Sequence, residues 1–326
     1  MPLPLPEAES AHARSLAESA PIWVIGSINT DMVVRTAKLP RPGETVLGGD
    51  FVTTAGGKGA NQAVAAARLG GHVSLVARVG TDVFGDQALA RLHDDRIDCD
   101  CVARDTNLPS GVALISVDEG GNNQIVVAPG ANNTLGLPQV DAALPLMADA
   151  AVVLLQLEIP FATVSHAIDR LAGQGRRVIL DPAPARDLPE SVLAGVYLVT
   201  PNETEAEMLT GVHVVDERTA QAAATRLLGM GVQNVAITLG AQGVYLATPS
   251  RSDLIPTPAV TAVDTTAAGD CFNGALAVGL AANLSLHESV GRACQIASMS
   301  VTRRGAQDSM PYAHEVLGGS PAGGYP

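Results

Sequence analysis

The sequence predicts one α/β domain with a parallel sheet and a small β appendage. Short apolar runs such as 152–157 (VVLLQL) and 177–180 (RVIL) are partly β-branched, and helical patterns separate them, which is typical of buried parallel strands. The 326 residues are 47% hydrophobic, so the chain can bury a large core. Because only 3% are aromatic, this core must consist mainly of Val, Ile, Leu and Ala.

The chain begins its regular structure with a buried strand over 22–31 (IWVIGSINTD), which ends in a polar turn. A helix is predicted from about Lys58 to Leu69. A strand over 73–80 (VSLVARVG) and a helix that opens at Asp82 follow. From residue 150 onward strands and helices alternate, and polar loops follow the strands. Since open α/β sheets bind ligands at the carboxyl ends of their strands, these loops are where a site is expected.

The small β appendage is assigned to two β-rich patches, about 31–55 and 97–127. Polar and apolar residues are mixed in the first patch, as in a sheet with one solvent-exposed face. The second patch contains 111–130 (GVALISVDEGGNNQIVVAPG), a hairpin pattern. The folded domain is predicted to span 21–317, flanked by a disordered N-terminal extension over 1–20 and a disordered tail over 318–326.

Charge and composition argue against several classes of partner. Asp and Glu number 33 against 20 Lys and Arg, a formal net charge of −13, so no nucleic acid and no anionic membrane is expected as a partner. No apolar run reaches the roughly 18 residues of a membrane span. The start of the chain lacks the pattern of a signal peptide. The four cysteines lack the spacing of a disulfide framework or a zinc site, which favours reduced thiols in the cytoplasm.

The loop 264–277 (DTTAAGDCFNGALA) carries the strongest sign of chemistry. Its small residues precede an apolar helix, whose first N–H groups and positive dipole end can receive an anion. Asp270 lies in the same turn, and a carboxylate beside an anion site suits a base that takes a proton from a hydroxyl during phosphoryl transfer. The alternative is that Asp270 merely favours a helix N-terminus. Asp264, six residues earlier, is close enough to face the same loop.

The turn 56–59 (GGKG) is not a Walker A loop, because Gly59 stands where Ser or Thr should bind magnesium. Asn29 and Asp31 follow the first strand, and such side chains pair with hydroxyls. Together with Lys58 and Asn61, they favour a sugar site. The alternatives are an exposed lysine and an ordinary turn.

Two further loops place carboxylates after strands. Glu158 precedes Pro160, where a helix opens, and its alternative interpretation is a capping carboxylate. Asn202 and Glu205 can hold Mg²⁺ through water molecules, and they also fit a helix capping box. The two interpretations are compatible.

Taken together, these loops resemble the phosphofructokinase-B type of carbohydrate kinases, and within it the ribokinases. The motifs are GSINTD (26–31), GGKGANQAVAAARLG (56–70), LLQLEIP (154–160), LDPAPARDLP (180–189), TPNETEAEMLTG (200–211), ITLGAQG (237–243), VDTTAAGDCFNGALA (263–277) and VTRRGAQDS (301–309). The resemblance covers about residues 21–315. It implies a three-layer α/β/α fold with a mostly parallel sheet and a β lid, and phosphorylation of D-ribose at O5 by ATP.

The resemblance also implies roles for single residues. Asp270 would be the base, and the N–H groups of Ala267, Ala268 and Gly269 the anion hole. The sugar-binding set would be Asn29, Asp31, Gly57, Lys58, Asn61, Glu158 and Asp270. The nucleotide set would be Asn202, Thr238, Leu239, Gly240, Ala241, Gln242, Gly243, Gly269, Asp270 and Cys294.

It implies two cations and a partner as well. Mg²⁺ would lie near Asn202 and Glu205, bound through water. The K⁺ ligands would be Asp264, Thr266, Ser300, Arg303, Gly305 and Ser309, several of them through backbone carbonyls. The lids of two subunits would clasp into a homodimer.

Some positions depart from the family pattern, namely Cys294 beside the adenine, Asp181 in place of a more usual Asn, and Thr266. Other readings are a kinase for 2-deoxyribose, another pentose or a nucleoside, and a non-catalytic sugar or nucleotide sensor on the same fold. A dehydrogenase is disfavoured because the turn after the first strand lacks the G-x-G-x-x-G pattern.

Overall fold

The computed structural model describes residues 20–317. The predicted tail over 318–326, and the predicted extension over 1–20 apart from residue 20, lie outside the described residues. The strands are β1 (Ile22–Ile25), β2 (Asn29–Arg35), β3 (Phe51–Gly56), β4 (Val73–Gly80), β5 (Val102–Asp105), β6 (Gly111–Val117), β7 (Asn123–Ala128), β8 (Val152–Leu155), β9 (Val178–Leu180), β10 (Leu198–Val199), β11 (Asn234–Thr238), β12 (Val244–Ala247) and β13 (Ser252–Ile255). The helices are α1 (Lys58–Arg68), α2 (Val83–Asp94), α3 (Leu137–Ala143), α4 (Phe161–Ala172), α5 (Glu190–Leu193), α6 (Glu203–Thr210), α7 (Glu217–Gly229), α8 (Ala268–Ala281), α9 (Leu286–Ser300) and α10 (Ala313–Leu317).

The larger sheet has nine strands in the order β13-β12-β11-β10-β9-β8-β1-β4-β5. From β11 to β5 each neighbouring pair is parallel, whereas β12 and β13 add an antiparallel edge. The mostly parallel central sheet is therefore confirmed. The carboxyl ends of its parallel strands lie along one edge, where the predicted site loops follow them.

Helices cover both faces of this sheet. Because successive side chains of a strand point to opposite faces, Ile22 and Val24 of β1 pack with α1, α8 and α9, whereas Trp23 and Ile25 pack with α3, α4 and α7. Two apolar clusters result, one on each side of the sheet, which confirms the three-layer α/β/α architecture. No helix within residues 20–317 combines the length and the apolar character that crossing a bilayer requires.

The smaller sheet, here called the lid, consists of β2, β3, β6 and β7 in the order β3-β2-β6-β7. Its strands pair antiparallel except for β2 with β6, which run parallel. Asn29, the first residue of β2, pairs with Gly56 on one side and with Gly111 on the other. The lid therefore starts directly at the edge of the predicted site.

The predicted second lid segment, 97–127, begins too early. Residues 102–105 form β5, which pairs in parallel with β4 in the central sheet. Ile97 and Cys99 are buried in the core that α1 and α8 cover, so this stretch gains more burial in the main domain than it could in a two-sided exposed lid. The second lid segment starts at Gly111, and within the first segment only 29–35 and 51–56 are strands.

Helices α1 and α8 pack unusually close together, and this contact positions the site. A Cβ built on Gly274 of α8 would lie 2.6 Å from the Cβ of Ala65 and 2.8 Å from the carbonyl oxygen of Gln62, both on α1. Only glycine permits this approach. The helices thereby bring the first turn of α8 next to the first turn of α1.

Candidate active site

The GGKG turn lies against the exit of β1. Gly57 has a φ of +88°, and a Cβ there would be 2.6 Å from the main-chain nitrogen of Asn29, so only glycine fits. The main-chain N–H of Lys58 donates to Glu158 Oε2 (3.0 Å), and Ser27 Oγ donates to the same oxygen (2.6 Å). The turn thus brings residues predicted separately from three loops into one cluster.

Asp31 joins this cluster from the lid strand β2. Its carboxylate lies against the GGKG turn, since a Cβ built on Gly56 would clash with it. Burial raises the pKa of Asp31 to about 6, and the negative charges of Glu158 and Asp270 add to the effect. The carboxylate therefore gains a proton about two pH units above the usual range of an aspartate.

Lys58 provides the positive charge of the cluster. Burial alone would lower the pKa of its ammonium group, but the carboxylates of Asp181, Asp270 and Glu158 outweigh burial and raise it. The Nζ atom lies 3.8 Å from Asp181 Oδ2. Lys58 is therefore protonated at any physiological pH and offers three donors to a ligand.

Asp270 lies in the first turn of α8 and is only 4% exposed. Asn61 Nδ2 donates to its Oδ2 (2.9 Å), and Gln62 Nε2 donates to its Oδ1 (3.1 Å). Burial raises the pKa of Asp270, although Lys58 and the two amides oppose the shift. A carboxylate with a raised pKa is a better proton acceptor near neutral pH, which suits a general base.

The loop before α8 offers free backbone donors. Ala267 adopts a left-handed conformation (φ 59°), and among residues 20–317 no acceptor engages the N–H groups of Ala267, Gly269 or Asp270. The predicted donor Ala268 differs, because its N–H donates to the Thr265 carbonyl at 3.2 Å. Two of the three predicted anion-hole donors are thus free, and that of Asp270 joins them at the positive end of the helix.

Buried amide side chains orient these groups, and the sequence reasoning missed them. Asn132 Nδ2 donates to Asn29 Oδ1 (2.8 Å) and its own Oδ1 accepts from the Ile28 N–H (2.9 Å), so the Asn29 side chain is held in one orientation. Nothing in the sequence around Asn132 marks it, since it follows the predicted hairpin in a polar turn.

Two more amides, Gln307 and Asn273, act at the α8 end of the site. Gln307 Nε2 donates to Asn61 Oδ1 (3.1 Å), which turns the Asn61 amide nitrogen toward Asp270. Asn273 Nδ2 donates to the Gly269 carbonyl (3.0 Å), and Thr200 Oγ1 donates to Asn273 Oδ1 (2.8 Å). A polar residue inside an otherwise apolar helix was the available signal for Asn273.

The predicted nucleotide residues lie on two adjacent loops. Asn202 and Thr238 form a parallel bridge, and the Thr238 N–H donates to the Pro201 carbonyl (2.9 Å). Leu239–Gly243 continue from β11 as a tight turn, within which Gly240, Ala241 and Gln242 form a 3-10 helix. Cys294 is buried on α9, where its carbonyl accepts from Thr257 Oγ1 (3.2 Å). Its thiol therefore packs inside the domain beneath the loop that follows β13.

Asn202 and Glu205 form the capping box of α6. Asn202 Oδ1 accepts from the Glu205 N–H (2.9 Å), and Glu205 Oε2 accepts from the Asn202 N–H (2.8 Å). The second oxygen of Glu205 has no partner among the described residues, and burial raises the pKa of this carboxyl group. One free carboxylate oxygen fits a magnesium ion held through water.

Asp264 connects the two loops of the predicted potassium site. Its Oδ1 accepts from the Thr266 N–H and its Oδ2 from the Gly305 N–H, both at 2.9 Å. The N–H of Val263 also donates to the Val301 carbonyl (2.7 Å). These hydrogen bonds join the loop before α8 to the loop after α9, and they engage both carboxylate oxygens of Asp264.

The side chains of the remaining predicted potassium ligands are engaged elsewhere. The hydroxyls of Ser300 and Ser309 donate to the carbonyls of Ala297 (2.9 Å) and Ala306 (2.8 Å). The Arg303 guanidinium forms an ion pair with Glu315 (2.7 Å). These residues can therefore serve a cation only through oxygen lone pairs, which for Arg303 means its carbonyl. Among residues 20–317 no cluster of three or more His, Cys, Asp or Glu side chains forms a metal site.

Comparison with known proteins gives the same family across the whole described chain. The model of the pfkB family carbohydrate kinases matches residues 20–313. The ribokinase of Haemophilus influenzae is 40% identical over 296 residues, which cover 91% of this chain and 97% of that protein. A deoxyribokinase of Salmonella typhi is 37% identical, covering 89% and 95% of the two chains.

A solved structure agrees with the sequence matches. The structure of Arabidopsis thaliana ribokinase complexed with ribose and ATP superposes with a TM-score of 0.86 at 34% identity, covering 92% of this chain and 98% of that one. The family model, the sequence match and the superposition each cover about nine tenths of the chain. This chain is therefore a member of the pfkB family of carbohydrate kinases.

Proposed function

We propose that the protein phosphorylates D-ribose at O5 with ATP, giving D-ribose 5-phosphate and ADP. One observation carries the proposal: the buried Asp270 carboxylate lies at the helix end where the N–H groups of Gly269 and Ala267 are free. A base and an anion site within one helical turn are what transfer of a phosphoryl group to an alcohol needs. The ribokinases of about 40% identity support ribose as the sugar.

The residues divide the reaction between them. Asp31 and Glu158 accept hydrogen bonds from the sugar hydroxyls, whereas the Asn29 amide nitrogen and the Lys58 ammonium group donate to them. Asp270 removes the proton of the attacking hydroxyl as the oxygen–phosphorus bond forms. The free N–H groups at the start of α8 stabilise the negative charge on the transferring phosphoryl group, while the bond to the leaving ADP oxygen breaks.

Two cations complete the proposal. Mg²⁺ near Asn202 and Glu205 would neutralise phosphate charge on the nucleotide. The residues that would hold K⁺ are Asp264, Thr266, Ser300, Arg303, Gly305 and Ser309, and the ion would supply positive charge near the anion-hole loop. Asn202 and Thr238–Gly243 would line the nucleotide site, with Cys294 beside the adenine.

A homodimer through the lid is proposed from its exposed apolar side chains. Phe51, Leu114 and Val126 are more than half exposed, and all of β7 faces solvent. A group of exposed apolar side chains of this kind marks a site of protein–protein interaction. A second lid would cover these side chains, and sedimentation showing a monomer at micromolar concentration would contradict this. The enzyme is proposed to act in the cytoplasm, where its four free cysteines remain reduced.

Coupled ADP release with ribose, 2-deoxyribose and adenosine tests the substrate. We expect the highest kcat/KM with ribose, and a clear drop in rate when sodium replaces rigorously removed potassium. The deoxyribokinase of 37% identity makes 2-deoxyribose the second candidate. A higher kcat/KM with 2-deoxyribose would contradict the proposal, and an unchanged rate in sodium would contradict the potassium site.

A further inference from the structure

Asp181, which follows β9, is buried beside the proposed base although the proposed chemistry gives it no role. Asp181 is only 6% exposed. Gln62 Nε2 donates to Asp181 Oδ2 (2.9 Å) and also to Asp270 Oδ1 (3.1 Å). The Lys58 ammonium lies 3.8 Å from the same Asp181 oxygen. The Gln62 amide group thus bridges the two carboxylates, and the Lys58 ammonium group lies beside Asp181.

The Gln62 side-chain amide is held in one orientation. Gln62 Oε1 accepts from Gln156 Nε2 (2.6 Å), and both glutamines are fully buried. The Gln62 nitrogen therefore has to face the two acids, with one N–H for each. If Asp181 lost its acceptor oxygen, one of these buried N–H groups would be left without a partner, which is costly in a buried site.

The charges that face this pair come from every neighbouring element. Lys58 on α1 is the cation. The acidic or titratable groups are Asp31 on the lid, Glu158 after β8, Glu205 on α6 and Cys271 on α8. Negative charge exceeds positive charge, so each carboxylate raises the proton affinity of the others. Two acids this strongly linked titrate as a pair.

We propose that Asp181 is a positioning residue, an inference that rests on the proposed function. Asp181 holds the Gln62 amide and the Lys58 ammonium group, and it thereby sets the orientation and the basicity of the Asp270 carboxylate. A neutral residue with an acceptor oxygen at this position would still accept the Gln62 hydrogen bond. It would remove one neighbouring negative charge, so the base would become weaker. The aspartate therefore keeps the base strong in a site that holds a lysine.

The variant Asp181→Asn tests this directly, because it removes the charge and retains an acceptor oxygen. In the pH profile of kcat at saturating ribose, which excludes the effect of Asp31 protonation on ribose binding, we expect the midpoint of the acidic limb to fall by about one pH unit. The direction follows because removing a neighbouring anion lowers the pKa of Asp270, which is active as the carboxylate. At pH 8 kcat should fall several-fold because the base is weaker. The control Asp187→Asn changes an exposed aspartate in the same loop and should match wild type.

A second measurement does not depend on turnover. Carbon-13 NMR of labelled aspartate, with the Asp270 signal assigned by difference from Asp270→Asn, should show the same downward shift of its titration in Asp181→Asn. If thermal unfolding shows that this variant is not folded, Asp181→Ser removes the same charge with a smaller side chain and should give the same shift. A folded variant with an unmoved limb and an unmoved NMR titration overturns the inference. Failure of wild type to phosphorylate ribose instead overturns the proposed function.

Discussion

The sugar half and the phosphate half of the candidate site are built in opposite ways. The sugar half consists of buried or half-buried charged and amide side chains such as Asn29, Lys58 and Glu158, each held by neighbours. The phosphate half, around Gly269, consists of small residues, open space and unengaged backbone N–H groups. Asp270 lies where the two halves meet.

The difference follows from the two ligands. Sugar hydroxyls have fixed directions and act as donors and acceptors, so they need side chains of defined chemistry in defined orientations. A phosphoryl group presents several equivalent anionic oxygens, which a helix N-terminus can receive without any side chain. Substitutions in the first half should therefore act through packing and orientation, and those in the second through access to the backbone.

The largest effect is expected at the junction. Asp270→Asn keeps the shape of the side chain but cannot take a proton, so kcat should fall by about 10²–10⁴-fold. Ribose binding, measured by calorimetry, should change only a few-fold. A variant that retains more than a tenth of wild-type kcat would refute the role as base, and Asp187→Asn serves as the charge-matched control.

The same substitution made in both halves sharpens the comparison. Gly57→Ala forces a Cβ into a left-handed backbone and to 2.6 Å from Asn29, and should cost about 2 kcal/mol or more of unfolding free energy. Gly269→Ala meets no heavy atom within 4 Å and should change stability by less than about 0.5 kcal/mol. Its methyl group should instead raise KM for ATP. Urea unfolding measures the stabilities, and steady-state kinetics measures the KM for ATP. Similar stabilities of the two variants would contradict the proposed difference between the two halves.

The contact that joins the halves can be tested at Gly274. Gly274→Ala should cost about 1–3 kcal/mol of stability, because the added methyl group overpacks the contact between α8 and α1. It should also lower kcat, since Asn61 and Gln62 would move away from Asp270. Gly229→Ala on α7 is the matched control, because a Cβ there meets nothing within 4 Å. Equal stability of the two variants would show that the close contact is not required.

The smallest effect concerns pH and the sugar half. Because the pKa of Asp31 is raised to about 6, this side chain becomes protonated as the pH falls through 6 and loses acceptor capacity. Ribose affinity, measured by calorimetry without nucleotide, should weaken several-fold between pH 7 and pH 5. Asp31→Asn should bind ribose more weakly and show a flatter pH dependence. A wild-type affinity that does not change over this range would contradict the assignment.

The central domain was predicted correctly from the sequence, because alternating apolar strands and helices leave a regular pattern. The loops after the strands could also be located, since each contains Gly, Asn or Asp residues that are recognisable locally. The predicted start of the second lid segment near residue 97 was wrong. A short β-rich stretch has the same sequence pattern in an exposed lid and at the edge of a central sheet. Only pairing with β4 decides between them.

The amide network could not be predicted in the same way. Gln62, Asn132, Gln156 and Gln307 act through contacts between residues about 90 to 250 positions apart, and no local spacing records such pairs. The hydrogen bond from the Ala268 N–H to the Thr265 carbonyl could not be predicted either, because it depends on the exact conformation of this turn.

The first strand of the lid, β2, begins at the predicted sugar site. Asn29 is at once the first residue of β2, the partner of Gly56 and Gly111 across the lid, and a predicted sugar contact. Any tilt of the lid would therefore move a predicted sugar ligand, so we expect ribose binding and lid closure to be coupled. Without a sugar the closed lid would lose this contact, so water would be excluded from the reacting atoms mainly when a sugar is bound.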